Sequence, residues 1–323
     1  MFTIPHHTMK AKIKSAFLAA DGFQDQLIQE LDGVLSCQGR LVLSERSFTK
    51  KPFWAQNCWH NPLVISIDSI ADAAKKLKAL QRNWNLYSFQ LHRRAQLIQE
   101  QLPHVSCKPL SFPTPFPKAS LGSWTLLDRD TVLAASDCSS AFPNGEPHFQ
   151  EDKKNPPNRA YLKLWEALTR VQEYPSAGQF CIDVGSSPGG WTWVLAQLGA
   201  EVWSVDRSPL DERVARMPGI HFEKRDAFSL KPDELPRPRM KIDWLFSDLV
   251  CYPEKLFDWV MMWVDSGVCD NFICTLKFQG KGDYHMAQKF ADIPDSQVLH
   301  LFNNKHELTW MKLKSWERSP VQG

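Results

Sequence analysis

The segment Cys181-Ile182-Asp183-Val184-Gly185-Ser186-Ser187-Pro188-Gly189-Gly190-Trp191 constrains the fold more than any other part of the chain. An apolar run ends in an acid, turns through small residues and opens into an amphipathic stretch reaching Leu198. That is the pattern of a buried strand, a glycine-rich turn and a helix. Such a turn admits a ligand directly against the backbone, because glycine has no Cβ to hold it off. The residues that follow Asn158 keep the same alternation. Helices are expected over 159–171, 191–198, 254–264 and near 284–290; strands over 180–184, 201–205, 220–223, 244–247 and 271–276. Two late strands, 297–302 and 307–312, are close enough to pair antiparallel at an edge. Strands separated by helices imply an α/β domain: a mainly parallel, doubly wound sheet with helices on both faces.

The front half reads differently. Strands are expected over 14–20, 41–43 and 62–67, with helices over 24–31, 70–80 and 93–102, as in a smaller α+β module. The proline-rich stretch from Pro103 to Pro117 then breaks all periodicity and reads as a connector or extended arm. Two short strands, 123–127 and 132–135, close this half, and the polar segment 137–157 is the expected boundary. Two domains follow: 1–145 with the connector, and 146–323.

Charge excludes little, since the whole chain carries a net +2. The first 150 residues hold 16 Lys and Arg against 12 Asp and Glu, a mild basic excess that permits a polyanionic partner. The Lys50-Lys51 and Arg93-Arg94 pairs suit phosphate or plain solvent equally. Trp54, Trp59 and Trp84 are either base-stacking rings or core, with core the better reading. Eight scattered cysteines without a CxxC pair disfavour a zinc site or a disulfide framework and suit a reducing cytoplasm. No apolar run approaches the roughly 20 residues of a membrane span, and residues 1–14 lack a signal-peptide core. A cytoplasmic protein with no membrane partner and no metal is expected.

Ligands of a doubly wound sheet bind beyond the carboxyl ends of its strands. Asp183, Asp206, Asp226, Asp248 and Lys277 occupy such ends. Asp206 lies 23 positions after Asp183, where an acid meets the ribose hydroxyls of an adenosine cofactor. The loop is not GxGxxG and has no P-loop lysine, which disfavours a pyrophosphate and hence NAD and ATP. An adenosine cofactor without phosphates fits better.

The run Asp-Val-Gly-Ser-Ser-Pro-Gly-Gly-Trp ending at Trp191 resembles the DLGxxPGGW signature of the FtsJ (RrmJ) superfamily of S-adenosylmethionine-dependent ribose 2′-O-methyltransferases. Asn158-Arg159-Ala160-Tyr161-Leu162-Lys163-Leu164 is similar to that family's S-R-A-x-x-K-L segment. Asp248 matches the family's catalytic aspartate, Lys277 its second lysine, and Glu307 sits where its closing glutamate belongs. The resemblance covers about residues 155–316. It implies a Rossmann-like methyltransferase sheet binding S-adenosyl-L-methionine, with Lys163, Asp248, Lys277 and Glu307 as the catalytic set. Within the family, the Gly-Gly-Trp-Thr sequence, the strand ending at Asp206 and the final Glu-Leu-Thr strand resemble the RlmM branch, bacterial enzymes that methylate a cytidine of large-subunit (23S) rRNA. That branch carries an N-terminal THUMP-like RNA-binding module, which the opening 17–31 segment resembles.

The resemblance also implies a set of cofactor contacts: Asp183, Gly185, Ser186, Pro188, Gly189, Gly190, Trp191, Asp206, Asp226 and Asp248. Some of the site residues have a plainer reading beside this one: Asp183 as a cap of the turn, Trp191 as packing of the helix, Asp226 as a solvated turn acid and, in the catalytic set, Glu307 as an edge-strand acid. A ribose hydroxyl is a poor nucleophile, and a lysine becomes its base only when desolvation or a neighbouring cation lowers its pKa. The expected assignment is Lys277 as general base, tuned and positioned by Lys163 and Asp248, with Glu307 holding Lys163 or the hydroxyl. The other readings are an RNA 2′-O-methyltransferase acting elsewhere, on tRNA or another rRNA site, and an inactive RNA-binding assembly factor. The partner in every case is RNA, as naked rRNA or a large-subunit precursor.

Overall fold

The computed structural model describes residues 12–119, 121–235, 241–278 and 284–318. They fall into two units. Residues through Leu110 join Phe116–His148 in one, and Ser111–Pro115 joins the chain from Phe149 onward in the other. Within the second unit, Phe112 stacks on Trp165, with centroids 4.9 Å apart and planes 7° from parallel.

The first unit is α+β, with two sheets. Strand β1 (Ser15–Ala19) leads into helix α1 (Gln24–Glu30), and β2 (Val34–Gln38) follows. With β3 (Leu41–Ser44), β4 (Ala55–His60) and β9 (Asp137–Cys138) the strands form one sheet, in the order β2-β3-β1-β4-β9. The other sheet runs β5 (Leu63–Ser66), β8 (Thr131–Ala135), β7 (Gly122–Asp128), β6 (Trp84–Leu86). Helices α2 (Ile70–Leu80) and α3 (His92–Gln99) share a core with it, through Leu77, Ile98, Trp84 and Trp124. Ser69 caps α2, its hydroxyl accepting from the Asp72 N–H at 3.1 Å.

Strand β4 was not expected from the sequence, because Gln56 and Asn57 interrupt its apolar run. Both are buried, and both find partners: Gln56 donates to the Gly145 carbonyl at 3.1 Å and Asn57 to the Ser123 hydroxyl at 3.3 Å. Trp54, Trp59 and Trp84 are 3%, 0% and 1% exposed, so these rings are core and do not offer a face to a base.

The second unit holds a seven-stranded sheet, in the order β12-β11-β10-β13-β14-β16-β15. Helix α4 (Tyr161–Val171) precedes β10 (Phe180–Val184), then α5 (Gly190–Gln197), β11 (Glu201–Asp206), the short α6 (Glu212–Ala215) and β12 (Ile220–Lys224). After β13 (Ile242–Ser247) come α7 (Pro253–Ser266), β14 (Cys269–Lys277), α8 (Tyr284–Ala291), β15 (Ser296–Leu299) and β16 (Glu307–Lys312). Strands β10 through β14 are parallel, and the sheet order reverses between β10 and β13. That switch point is where an open α/β sheet receives its ligand.

The last two strands pair antiparallel at one edge of the sheet, as expected from their closeness in sequence. β16 inserts between β14 and β15 and runs antiparallel to both. Insertion buries β16 on both faces, which its all-buried pattern Glu-Leu-Thr-Trp-Met-Lys reflects, and leaves β15 at the edge. It also fixes a register: Lys277 and Glu307 are paired residues on neighbouring strands.

Trp310 of β16 is fully buried, 5.7 Å from the Phe272 ring and 5.5 Å from the Phe290 ring. Trp310→Ala is expected to destabilise the protein by about 3–5 kcal/mol through the cavity it leaves. Urea unfolding followed by tryptophan fluorescence measures this, and a loss below about 1 kcal/mol would contradict the packing described.

Candidate active site

Three elements meet at one carboxylate. Asp248 follows the carboxyl end of β13, its N–H donating to the Val184 carbonyl at 3.3 Å, so the ends of β10 and β13 are tied together. Lys163, in the first turn of α4, donates to both Asp248 oxygens, at 2.9 Å to Oδ1 and 2.8 Å to Oδ2, and to Glu307 Oε1 at 3.2 Å. Lys277, at the end of β14, lies 3.0 Å from Asp248 Oδ1 and donates to the Asp248 carbonyl at 2.6 Å. The four residues expected from the sequence therefore share one cluster. Thr275, which sequence reasoning did not single out, completes it by donating its hydroxyl to Asp248 Oδ1 at 2.7 Å. Its signal was its place two residues before Lys277, on the same face of the strand.

The electrostatics separate the two lysines. Burial alone would pull the Lys163 pKa down, but the carboxylates of Asp248 and Glu307 outweigh it and hold the value above that of an ordinary lysine. Burial alone would raise the Asp248 carboxyl; the ammonium groups of Lys163 and Lys277 outweigh that and hold it below the usual carboxylate range. Among the described residues, Lys163 answers to two carboxylates, whereas Lys277 answers to one, Asp248, and to a main-chain carbonyl.

The glycine loop lies beside this cluster. Gly185 has φ +71° and a Cβ there would sit 3.0 Å from the Leu249 Cα, so glycine is required on both conformational and steric grounds. Gly189, at φ +113°, is the N-cap of α5, and Gly190 lies against the Asn158 side chain. Pro188 accepts from the Asp211 N–H at 2.9 Å, which pins the loop to the turn before α6.

Two cavities flank the cluster. One, of about 370 Å³, is lined by Asp206, Asp226, Phe228, Leu249, Tyr252 and Lys255 among others. Asp206 already accepts from the Ser187 N–H at 3.0 Å and the Ser208 N–H at 2.8 Å, which aims its carboxylate between the glycine loop and its own turn. Asp226 caps the following turn through the Phe228 N–H and pairs with Arg207, whose guanidinium keeps its carboxyl below the usual range. The other cavity, of about 660 Å³, is lined by Asn158, Arg159, Lys163, Lys277, Asn303, Lys305 and Glu307 among others.

Two of the residues expected at the cofactor are engaged within the fold. Asp183 is fully buried beneath α5, where its Oδ2 accepts from the Thr192 hydroxyl at 2.6 Å; it braces the loop from below and does not line either cavity. Trp191 is 2% exposed and its indole N–H is spent on the Ala160 carbonyl at 2.9 Å. It tethers the segment leading to Lys163 to the glycine loop, a packing role that its position beside Gly190 did not reveal.

The residues fit an adenosine-type sulfonium cofactor. The Ser186 hydroxyl is buried without a partner among the described residues, and Asp206 and Asp226 converge on the smaller cavity. A positive sulfonium suits the acidic strand ends that surround it.

Burial pushes the Asp183 carboxyl from 3.8 up to about 7, against the opposing hydrogen bond from Thr192. The folded state thus holds this proton more tightly than the unfolded chain, so native stability falls as pH rises through the window between 3.8 and about 7. Asp183→Asn removes that dependence. The difference in urea midpoint between wild type and variant is expected to shift in the variant's favour from pH 5 to pH 8; a gap that stays constant would overturn the assignment.

Residues 156–292 match the family model described as FtsJ-like methyltransferase. The ribosomal RNA large subunit methyltransferase M of Halorhodospira halophila is 36% identical over 176 residues, covering 52% of this chain and 50% of its own length. The protein of the same name from Xanthomonas axonopodis pv. citri is 27% identical over 261 residues, 76% of this chain and 70% of that one. Among solved structures, a putative ribosomal RNA methyltransferase from Plasmodium falciparum aligns with 48% of this chain and 96% of its own, at 14% identity and a TM-score of 0.36. The match to the Halorhodospira protein spans half of that relative's length. The glycine loop, Lys163, Asp248 and Lys277 all fall inside the segment that matches the FtsJ-like methyltransferase model.

Proposed function

We propose that this protein transfers a methyl group from S-adenosyl-L-methionine to a ribose 2′-hydroxyl of RNA, with a cytidine of large-subunit rRNA as the acceptor. The observation that carries the reading is the Lys163–Asp248–Lys277 cluster set between two cavities, one suited to an adenosine and one open toward a second substrate. The relatives named for ribosomal RNA large subunit methylation support the substrate class. The first unit, with its mild basic excess, is the proposed THUMP-like RNA-recognition part. No described helix is long and apolar enough to cross a membrane.

The bound cofactor supplies an electrophilic methyl group on a sulfonium that leaves as a neutral thioether. The chain's own residues supply position and proton transfer. Asp206 and Asp226 hold the adenosine end, and the glycine loop lets it approach the backbone. Lys163 keeps its proton because two carboxylates face it, so it serves as a fixed cation beside the acceptor oxygen. Lys277, once it has given up its own proton to solvent, is then the neutral amine that takes the hydroxyl proton as the oxygen attacks, with Asp248 orienting it. Glu307 locks Lys163 in place, and the paired register of Lys277 and Glu307 sets the distance between the two amines. Alignment of oxygen and methyl is expected to supply much of the acceleration.

Lys277→Ala is expected to lower methyl transfer to large-subunit rRNA by at least about 100-fold, the scale of a lost general base, while S-adenosylhomocysteine binding by calorimetry stays within about twofold. Undiminished transfer would remove Lys277 from the base role. An RNA-binding assembly factor predicts retained RNA binding with no labelled product from the wild type.

A further inference from the structure

Glu166 is fully buried on α4, three residues beyond Lys163, and is not part of the cluster at Asp248. Its carboxylate accepts from five donors. Arg170 gives Nε at 3.0 Å and Nη2 at 2.7 Å, Phe302 its N–H at 3.0 Å, and Asn303 its N–H and its Nδ2, both at 2.9 Å. A buried carboxylate with every lone pair taken is an acceptor only, and charge-assisted bonds of this kind are the strong ones. Two consequences follow for the segment between β15 and β16. Its backbone is pinned to the helix that carries Lys163. The Asn303 amide is also oriented, because only its NH2 can face a carboxylate.

The Asn303 carbonyl oxygen therefore points away from Glu166. No described residue donates to it, and Asn303 lines the cavity that also holds Lys163, Lys277 and the exposed Lys305. We propose that Asn303, oriented by Glu166, is a specificity-determining residue that reads the acceptor base through its carbonyl oxygen, while Lys305 meets the adjoining phosphate. A fixed acceptor selects a base that presents an exocyclic amine, cytosine or adenine, over one that presents a carbonyl at the same place. Glu166 is a positioning residue in this scheme: it touches no substrate and acts through the Asn303 amide. The inference rests on the RNA methyltransfer reading and deepens it at the same site.

The test uses the full-length protein with labelled cofactor and two RNA oligonucleotides identical except for cytidine or uridine at the acceptor position. Wild type is expected to favour cytidine in kcat/KM by about tenfold, the scale of one buried hydrogen bond. Asn303→Ala and Glu166→Gln are each expected to bring that ratio close to one. A loss that is only structural lowers both substrates in proportion and leaves the ratio where it was, which overturns the inference. A wild type that methylates both RNAs equally overturns it too, while leaving the methyltransfer reading intact. A wild type that binds S-adenosylhomocysteine but methylates neither RNA sinks the functional reading itself, and the base-reading role with it.

Discussion

The site depends on how one carboxylate is satisfied. Asp248 sits at the end of a buried strand, and a charge removed from water at such a position is costly unless it is paired and hydrogen-bonded. Here it receives Lys163 from α4, Lys277 from β14 and the Thr275 hydroxyl. The partners come from α4 and from β14, so the ion cluster also fixes the relative positions of that helix, that strand and the end of β13. Removing a partner would strand a buried charge, which is why the cluster holds one geometry.

Around that centre the chain separates its tasks. Gly185 and Gly189 take the positive φ angles that the loop after β10 requires, and Asp206 and Asp226 line the smaller cavity. On the other side, α4 performs two duties within three residues: Lys163 enters the ion cluster and Glu166 grips the segment after β15. Trp191 joins the two halves of this arrangement by tying the start of α4 to the glycine loop. An acceptor placed between Lys277 and Lys305 would therefore be held by elements that are themselves cross-braced.

Much of this was legible in the sequence, and for a physical reason. Strand ends in a parallel sheet point at the ligand, so Asp206, Asp226, Asp248 and Lys277 could be picked out as polar residues terminating apolar runs. Lys163 and Glu307 came from the family resemblance, since nothing in local periodicity marks a helix lysine or an inner-strand glutamate. What stayed hidden depends on contacts distant in sequence. Nothing near Glu307 indicates that β16 slides between β14 and β15, because that is a choice among strand pairings. Glu166 reads as an ordinary helix acid until its partners 136 and 137 residues away are seen. Asp183 and Trp191 each carried a packing reading beside the ligand one, and no local pattern shows that Asp183 bonds to Thr192 and Trp191 to Ala160. In the first unit, β4 was lost to Gln56 and Asn57, whose hydrogen bonds no local pattern reveals.

The central claim is that the Asp248 cluster drives methyl transfer to a ribose hydroxyl of large-subunit rRNA. Mapping 2′-O-methylated nucleotides in that rRNA, from cells lacking this protein and from the same cells supplied with wild type or Asp248→Asn, tests it most directly. The account predicts one ribose methylation that disappears with the protein, returns with wild type and stays absent with Asp248→Asn. An unchanged map, a lost methyl group on a base, or full restoration by Asp248→Asn would contradict it.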